Sequence, residues 1–233
     1  MPEQTEALVG RVERYVRDAP VVGAIFVGGA SYLSGFLLTY LFVILDSGLD
    51  AKSTSEAAIT ETGIFQQAAF SGFPRPEPTT TEFVGWLFYN AHFADTVITP
   101  QVAGRGGQAG AETQTAPESI NFLSTASTQI PGVVYQLIPV LALTAGGYAL
   151  ARAARIAVSR DIVRVGLGIP TGYVPLALLG TVLFRVSATA EQGGIEVMVT
   201  ASPSLLGPVA MGLISTLFGI TGIYLGAQSE RTE

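Results

Sequence analysis

The chain has 233 residues, of which 48% are hydrophobic and 13% are charged, and its formal net charge is −6 at pH 7. Soluble globular domains carry about 25% charged residues, so this composition indicates an integral membrane protein and excludes intrinsic disorder and a coiled coil. The acidic balance leaves no basic patch for phosphates, which excludes a nucleic-acid binder. There is no cysteine and one histidine, His92. Thiol chemistry and Cys or multi-His metal centres are therefore excluded, and we expect no cofactor.

Four segments are long and apolar enough to cross a bilayer, whose hydrocarbon core takes about 20 helical residues. They predict transmembrane helices at residues 21–45, 131–151, 165–185 and 204–227. The expected fold class is therefore an all-α integral membrane protein. It would be a four-helix transmembrane bundle with a small helical external insertion, residues 46–130, between the first two spans.

The distribution of arginine predicts the orientation, because basic residues are enriched on the cytoplasmic side of a membrane. Eight arginines lie near the span ends on one side of the predicted topology, and the opposite side has only Lys52 and Arg185 near its spans. We therefore expect a multi-pass protein of the cell membrane with both termini in the cytoplasm. Its cytoplasmic parts would be an amphipathic N-terminal segment (1–20), an Arg-rich loop (152–164) and a tail (228–233). The arginines on that side are Arg11, Arg14, Arg17, Arg152, Arg155, Arg160, Arg164 and Arg231.

The external insertion contains three predicted short helices. Two of them begin with capping-box spacing, at Ser53 to Glu56 and at Thr79 to Glu82, and the third runs from Glu118 to Gln129. The helix after Thr79 is the most apolar and is predicted from Phe83 to Ile98. It is too short for a span, and crossing would place the arginines of 152–164 outside. It is expected to pack against the outer bilayer surface or the span ends, with Trp86 and Tyr89 at headgroup level and re-entry into the bilayer left open. Residues 104–117 and 186–203 are predicted to be loops.

Two stretches of the sequence are distinctive. They are Gly-Ala-Ser-Tyr-Leu-Ser-Gly-Phe-Leu-Leu-Thr-Tyr at Gly29–Tyr40 and Gly-Trp-Leu-Phe-Tyr-Asn-Ala-His at Gly85–His92. Together they resemble an uncharacterised haloarchaeal family of multi-pass membrane proteins, over most of the chain. The excess of acid, the single lysine and the absence of cysteine are similar to the composition of proteins from salt-loving archaea. The resemblance implies a four-helix layout with an external insertion and brings no established activity.

Small residues form a continuous face on the fourth span, at spacings of three and four, and a shorter face on the second span. Such faces let helix backbones approach closely, which favours helix association in lipid. The partner helix could belong to this chain or to another subunit. Gly207, near the outer end of the fourth span, is expected to tolerate a larger side chain. The predicted packing residues are Gly212, Ser215, Gly219, Gly222 and Gly226 in the fourth span, and Ala142, Gly146 and Ala149 in the second.

Pro170 and Pro175 lie in the third span, where the loss of two backbone donors is predicted to kink or break the helix. Broken helices expose carbonyl groups to substrate in many transporters. A small transporter or channel component is therefore the alternative function. The spans lack the midplane charged residue or histidine that coupled carriers usually bury, which argues against this alternative.

Arg185 ends the third span at the depth of Asp46 and Asp50, which follow the first span. We expect an ion pair between Arg185 and one of these carboxylates, with lipid phosphate as the runner-up. His92 and Asp95 are three residues apart on one predicted helix face. A catalytic pair would also need a nucleophile and a pocket, so we expect a structural hydrogen bond.

The absence of a reactive set of residues predicts that the protein is not an enzyme. The leading function is a non-enzymatic scaffold or accessory subunit of a membrane assembly. The expected partners are membrane lipid and either further copies of the chain or other membrane subunits.

The four-span topology makes a direct prediction for accessibility. A cysteine at Ser159 should react with a membrane-impermeant thiol reagent only from the cytoplasmic side, and one at Gly107 only from outside. Both sites can be introduced singly, because the chain contains no cysteine. Labelling of both sites from the same side would contradict the topology.

Overall fold

A computed structural model describes residues 19–66, 72–104, 116–125, 129–156, 159–192 and 195–229. The helices in these ranges are α1 (Pro20–Leu45), α2 (Ala51–Thr60), α3 (Gly63–Gln66), α4 (Thr80–Asn90), α5 (Phe122–Thr125), α6 (Gly132–Ala154), α7 (Ser159–Gly166), α8 (Gly168–Leu183) and α9 (Gly207–Ser229). The strands are β1 (Thr96–Gly104), β2 (Glu118–Ile120), β3 (Val186–Gln192) and β4 (Ile195–Pro203). Most of the predicted N-terminal segment, tail and 104–117 loop lies outside the described residues.

Four helical stretches are long and apolar enough to cross a membrane, as the sequence predicts. They are Pro20–Leu45, Gly132–Ala154, Asp161–Leu183 and Gly207–Ser229. The third stretch consists of α7 and α8 with one irregular residue, Leu167, between them. The amide of Leu167 still donates to the carbonyl oxygen of Val163 at 3.0 Å, so the helical path continues.

A four-stranded antiparallel sheet in the order β2-β1-β4-β3 corrects the expected all-α class. β1 pairs with β4 from Thr96↔Pro203 to Gly104↔Ile195, and β3 pairs with the other edge of β4. Residues 186–203 are therefore two strands and not a loop. The physical reason is a period-two pattern, because Val197, Val199 and Ala201 are buried on alternate positions of β4.

The predicted helix from Phe83 to Ile98 is two different elements. α4 ends at Asn90, where the side-chain amide donates to the carbonyl oxygen of Ala94 at 2.9 Å, and the chain then enters β1. The β-branched run from Thr96 to Thr99 favours a strand once a partner strand is available. The predicted helix from Glu118 to Gln129 likewise begins as β2, which pairs with β1.

The chain divides into two compact units. The bundle unit comprises Met1–Leu37, Leu137–Leu178 and Pro208–Glu233, and the sheet unit comprises Leu38–Gln136 and Leu179–Gly207. The bundle unit contains most of the four long helices. The sheet unit contains the four strands and the short helices α2 to α5.

α4 forms the core of the sheet unit, since every residue from Phe83 to Asn90 is buried. The Trp86 ring stacks on Phe122, with centroids 5.5 Å apart, and its Nε1 donates to the carbonyl oxygen of Phe184 at 2.7 Å. A β-carbon added to Gly85 would collide with the Phe184 ring. The helix is therefore protein core beside Phe184, at the end of the third span, and Trp86 and Tyr89 are fully buried in protein and do not face lipid headgroups.

The start of α4 follows the predicted capping box. Thr79 Oγ1 accepts from the amide of Glu82, and the Glu82 carboxylate accepts from the amide of Thr79 at 2.7 Å. α2 instead begins earlier than the capping-box spacing suggests. Its N-cap is Asp50, whose carboxylate accepts from the amide of Ser53 at 3.0 Å. An aspartate placed before Ser53 satisfies the same free amide groups, so the helix begins there.

The buried His92 predicts a pH dependence of stability. Burial lowers the pKa of His92 from 6.5 to about 4, although its Nδ1–H donates to the carbonyl oxygen of Phe88 at 2.7 Å. Below about pH 6.5 the unfolded chain binds a proton that the folded chain binds only near pH 4. The free energy of unfolding should therefore decrease by about 2 kcal/mol between about pH 7 and about pH 5.

His92→Gln should remove most of the change in melting temperature between these two pH values, because His92 is the single histidine. The measurement is thermal unfolding of both proteins at constant high salt. Equal slopes for the two proteins would show that His92 does not control the pH dependence.

Candidate functional site

The candidate site is the set of close contacts between helices in the bundle unit. α1 contacts α8 at Gly28 and Gly172, and it contacts α6 where Ser31 Oγ donates to the carbonyl oxygen of Ala142 at 3.3 Å. α9 contacts α6 at Gly222 and α8 at Gly219. The four helices are therefore arranged around the bundle in the order α1-α6-α9-α8.

The contact between α1 and α8 brings two backbones together. A β-carbon on Gly28 would collide with the carbonyl oxygen of Ile169, and one on Gly172 would collide with that of Ile25. Only glycine permits this approach, because any side chain would separate the two helices. Beside the contact, the rings of Tyr32 and Tyr173 meet edge to face at 5.1 Å.

The contact between α6 and α9 is of the same kind. A β-carbon on Gly222 would collide with the carbonyl oxygen of Thr144, and one on Gly147 with that of Gly219. One on Gly226 would lie 2.8 Å from the carbonyl oxygen of Tyr148. Gly222 lies against Thr144 and Gly226 against Tyr148, so these contacting positions increase together along the two helices, which run parallel.

The predicted packing residues occupy different environments. Gly146 lies against Ser31, and a β-carbon on Gly212 would be 3.1 Å from Val174 Cγ2. Ser215 is buried and donates to the carbonyl oxygen of Gly212 in its own helix at 3.0 Å. Ala149 is exposed and does not pack between helices. Gly219, Gly222 and Gly226 all lie against helices of the same chain.

The sequence reasoning missed Gly28, Gly147 and Gly172. Two of them belong to adjacent glycine pairs, Gly28-Gly29 and Gly146-Gly147. A pair of glycines within an apolar helix could have marked them, since glycine lowers helix stability unless a close contact compensates for it.

Gly207 does not have the open surroundings that were expected. A β-carbon there would lie 2.9 Å from Tyr89 Cδ1 and 3.1 Å from Ala94 Cβ. The residue is packed within the sheet unit, so a larger side chain would not be tolerated. Substitution of Gly207 is therefore not expected to be milder than substitution of the other glycines of α9.

The third span is irregular one turn before Pro170 and continuous at Pro175. α8 continues through Pro175, and Pro170 lies in its first turn. The irregular residue is Leu167, whose carbonyl oxygen accepts from Thr171 Oγ1 at 3.3 Å. The interruption lies three residues before Pro170, within the turn whose hydrogen bonding a proline disrupts.

Asp46 and Asp50 have partners other than Arg185. The buried Asp46 carboxylate accepts from the amides of Gly48, Gln129 and Ile130 at 3.0 to 3.1 Å, and Asp50 caps α2. Arg185 is exposed, and within the described part of the chain no ion pair joins it to either aspartate. Asp46 does not pair with Arg185 as predicted, because backbone amides already donate hydrogen bonds to its carboxylate.

Hydrogen bonding lowers the pKa of Asp46 despite its burial. Burial alone would raise this pKa, and the amides of Ile130, Gln129 and Gly48 together with the Tyr135 hydroxyl outweigh that effect. The carboxylate thus stays ionised at neutral pH. It ties the end of α1 to the residues that precede α6.

No metal centre is suggested by the described residues, which contain no group of three His, Asp or Glu side chains able to hold an ion. The hydroxyl groups of α9 bond to their own helix, as Thr216 Oγ1 does to the Gly212 carbonyl oxygen at 2.7 Å. The polar groups of the bundle unit therefore serve helix structure. The described part of this unit has a geometry that supports helix association.

The protein belongs to DUF7978, a family of unknown function. The family model matches residues 5–228, which is nearly the whole chain. No curated protein and no solved structure matches the chain. Membership of an uncharacterised family agrees with the resemblance in the sequence, and the DUF7978 match assigns neither a source nor an activity.

The glycine contacts predict a large difference between two adjacent substitutions in α1. Gly28→Ala should lower the free energy of unfolding by about 2 kcal/mol, because the methyl group would meet the backbone of α8. Gly29→Ala should leave it unchanged or raise it by up to about 1 kcal/mol, since its β-carbon would lie 3.8 Å from Leu176 Cδ1 and alanine favours the helix.

Denaturant unfolding of the two variants in one detergent gives the comparison. The substitutions share helix, chemistry and depth, so their difference isolates the contact with Ile169. Equal stability of Gly28→Ala and Gly29→Ala would show that α1 and α8 do not touch at this point.

Proposed function

We propose that this DUF7978 protein is a non-enzymatic, multi-pass protein of the cell membrane that acts as a scaffold or accessory subunit of a membrane assembly. One observation carries the membrane location. The four long helices come closest to each other at small residues, mainly glycine, and many of their large apolar side chains are exposed. The exposed set includes Phe26, Leu33, Leu37, Leu41, Leu137, Leu141, Leu178, Val182, Val209, Leu213 and Leu217.

This distribution is unfavourable in water and suited to lipid. Full burial of one leucine-sized side chain is worth about 1.5 to 3 kcal/mol in water, so a water-soluble bundle would place such residues inside. In a bilayer the acyl chains solvate them, and close backbone packing holds the helices together. The bundle unit therefore has the residue distribution of a membrane protein.

The orientation with both termini in the cytoplasm is supported by contacts at one end of the bundle unit. α6 ends near Arg152, whose guanidinium donates to Ser229 Oγ at 3.2 Å at the end of α9. The end of α9 thus lies beside the Arg-rich segment 152–164. By the rule that basic residues are enriched inside, that end is cytoplasmic.

A structural role is preferred to transport because the middle of α8 is packed. Pro175 lies between Val174, which contacts Gly212, and Ala177, which is fully buried. Tyr173 packs on Tyr32. Side chains therefore occupy the surroundings of the proline that motivated a substrate path. The sheet unit is the part of the protein available to carry partner contacts.

Membrane fractionation and purification at native salt test this proposal in two steps. The protein should stay in the membrane pellet after alkaline carbonate washing and enter solution with mild detergent. Release by carbonate alone would contradict the membrane location. Purification in mild detergent should then give a complex larger than one chain, and a homogeneous monomer without partners would contradict the scaffold role.

A further inference from the structure

Phe93 is an exposed aromatic residue at a backbone position that favours glycine. It follows α4 with φ of 60°, in the left-handed region. The amide of Ala94 donates to the Tyr89 carbonyl oxygen at 3.1 Å, and that of Phe93 to the Asn90 carbonyl oxygen at 3.0 Å. These two bonds define a Schellman turn, in which the left-handed residue is usually glycine. The phenylalanine side chain is nevertheless 69% exposed.

The turn that holds Phe93 is fixed on both sides. His92, before it, is fully buried, and the Ala94 carbonyl oxygen, after it, accepts from the Asn90 side chain at 2.9 Å. The exposure of Phe93 is thus imposed by an ordered turn. In water this arrangement combines an unfavourable backbone conformation with an exposed apolar ring.

A second exposed apolar turn lies directly beside the first. The amide of Ser204 donates to the carbonyl oxygen of Asp95 at 2.9 Å, and a β-carbon on Gly207 would lie 3.1 Å from Ala94 Cβ. Between these two tie points are Leu205 and Leu206, with exposed fractions of 84% and 75%. Water-exposed turns usually carry Gly, Pro, Asn, Asp or Ser, and here each turn presents large apolar side chains.

The chain continues from Leu206 into α9, whose first exposed residues are Val209 and Leu213. Leu206 is therefore the residue immediately before a helix of membrane-spanning length, and the Phe93 turn lies beside Leu205 and Leu206 within the sheet unit. We propose that Phe93, Leu205 and Leu206, here called the apolar turn pair, insert into lipid acyl chains and anchor the sheet unit to the bilayer. This inference rests on the membrane location proposed above.

Lipid is the occupant favoured by this continuity with α9. Leu205 and Leu206 immediately precede the first residue of a candidate span, and residues at the end of a span meet the membrane interface. Aromatic side chains are also enriched where spans meet the membrane interface.

Site-directed fluorescence tests the insertion, and the cysteine-free chain gives a clean background. A polarity-sensitive dye is attached to single cysteines in the full-length protein, reconstituted in phosphatidylglycerol vesicles with nitroxide-labelled acyl chains. The test sites are Phe93→Cys and Leu206→Cys. Leu213→Cys in α9 is the control for acyl chains, and Glu56→Cys, on the exposed face of α2, is the control for water.

Dyes at Phe93 and Leu206 should be quenched by the nitroxide lipid to about the extent seen at Leu213, and aqueous iodide should quench them several-fold less than at Glu56. Quenching by iodide as at Glu56 would overturn the inference. Protection from both quenchers would also overturn it, because a protein surface would then cover the two turns. A dye at Leu213 that iodide quenches would instead refute the membrane location itself.

Phe93→Gly separates insertion from folding. Glycine suits the left-handed position, so this variant should melt in detergent at the wild-type temperature or above it. In vesicles, quenching of the Leu206 dye by nitroxide lipid should fall in the Phe93→Gly background. Unchanged quenching there would show that Phe93 makes no contribution to insertion.

Discussion

Direct contact between helix backbones is the constraint on which the bundle unit depends. In lipid the apolar side chains of separate helices gain little by meeting each other, so association requires close packing. The parallel helices α6 and α9 touch at Gly222, and α1 and α8 touch at Gly28 and Gly172. The antiparallel neighbours α1 and α6 meet through Ser31. With glycine at the contacts, many of the larger side chains are exposed on the outside of the bundle unit, which is the arrangement that lipid solvates.

The sheet unit is stabilised by a different chemistry. Several of its buried polar groups have defined partners, including Asp46 with three backbone amides and Trp86 with the Phe184 carbonyl oxygen. Because hydrogen bonding lowers the pKa of Asp46 below 3.8, its contribution to stability is present above that pH and is lost as the pH falls through the folded pKa. The stability of this unit therefore depends on pH, whereas the glycine contacts of the bundle unit do not.

The sequence predicted the parts of the fold that depend on local composition. Hydropathy located the four long helices, and the spacing from Thr79 to Glu82 located the start of α4. The alternating apolar residues of β4 and the Gly193-Gly194 pair before it were a usable hairpin signal that was not used. The pairing of β1 with β4 joins segments about one hundred residues apart, as in Thr96↔Pro203, and no local pattern specifies it. The helix contacts at Gly28 and Gly172 are non-local in the same sense.

The segment from Phe83 to His92 shows what separates a buried helix from a membrane-surface helix when hydropathy is the same. Both are short and apolar, so composition alone does not distinguish them. The polar atoms do, because a buried Asn or His needs partners that acyl chains cannot supply. Asn90 bonds the Ala94 carbonyl oxygen and the Phe122 amide, and His92 bonds the Phe88 carbonyl oxygen. An asparagine and a histidine within an apolar run therefore indicate a protein core, and the apolar residues on the surface are found instead in the turns at Phe93 and Leu206.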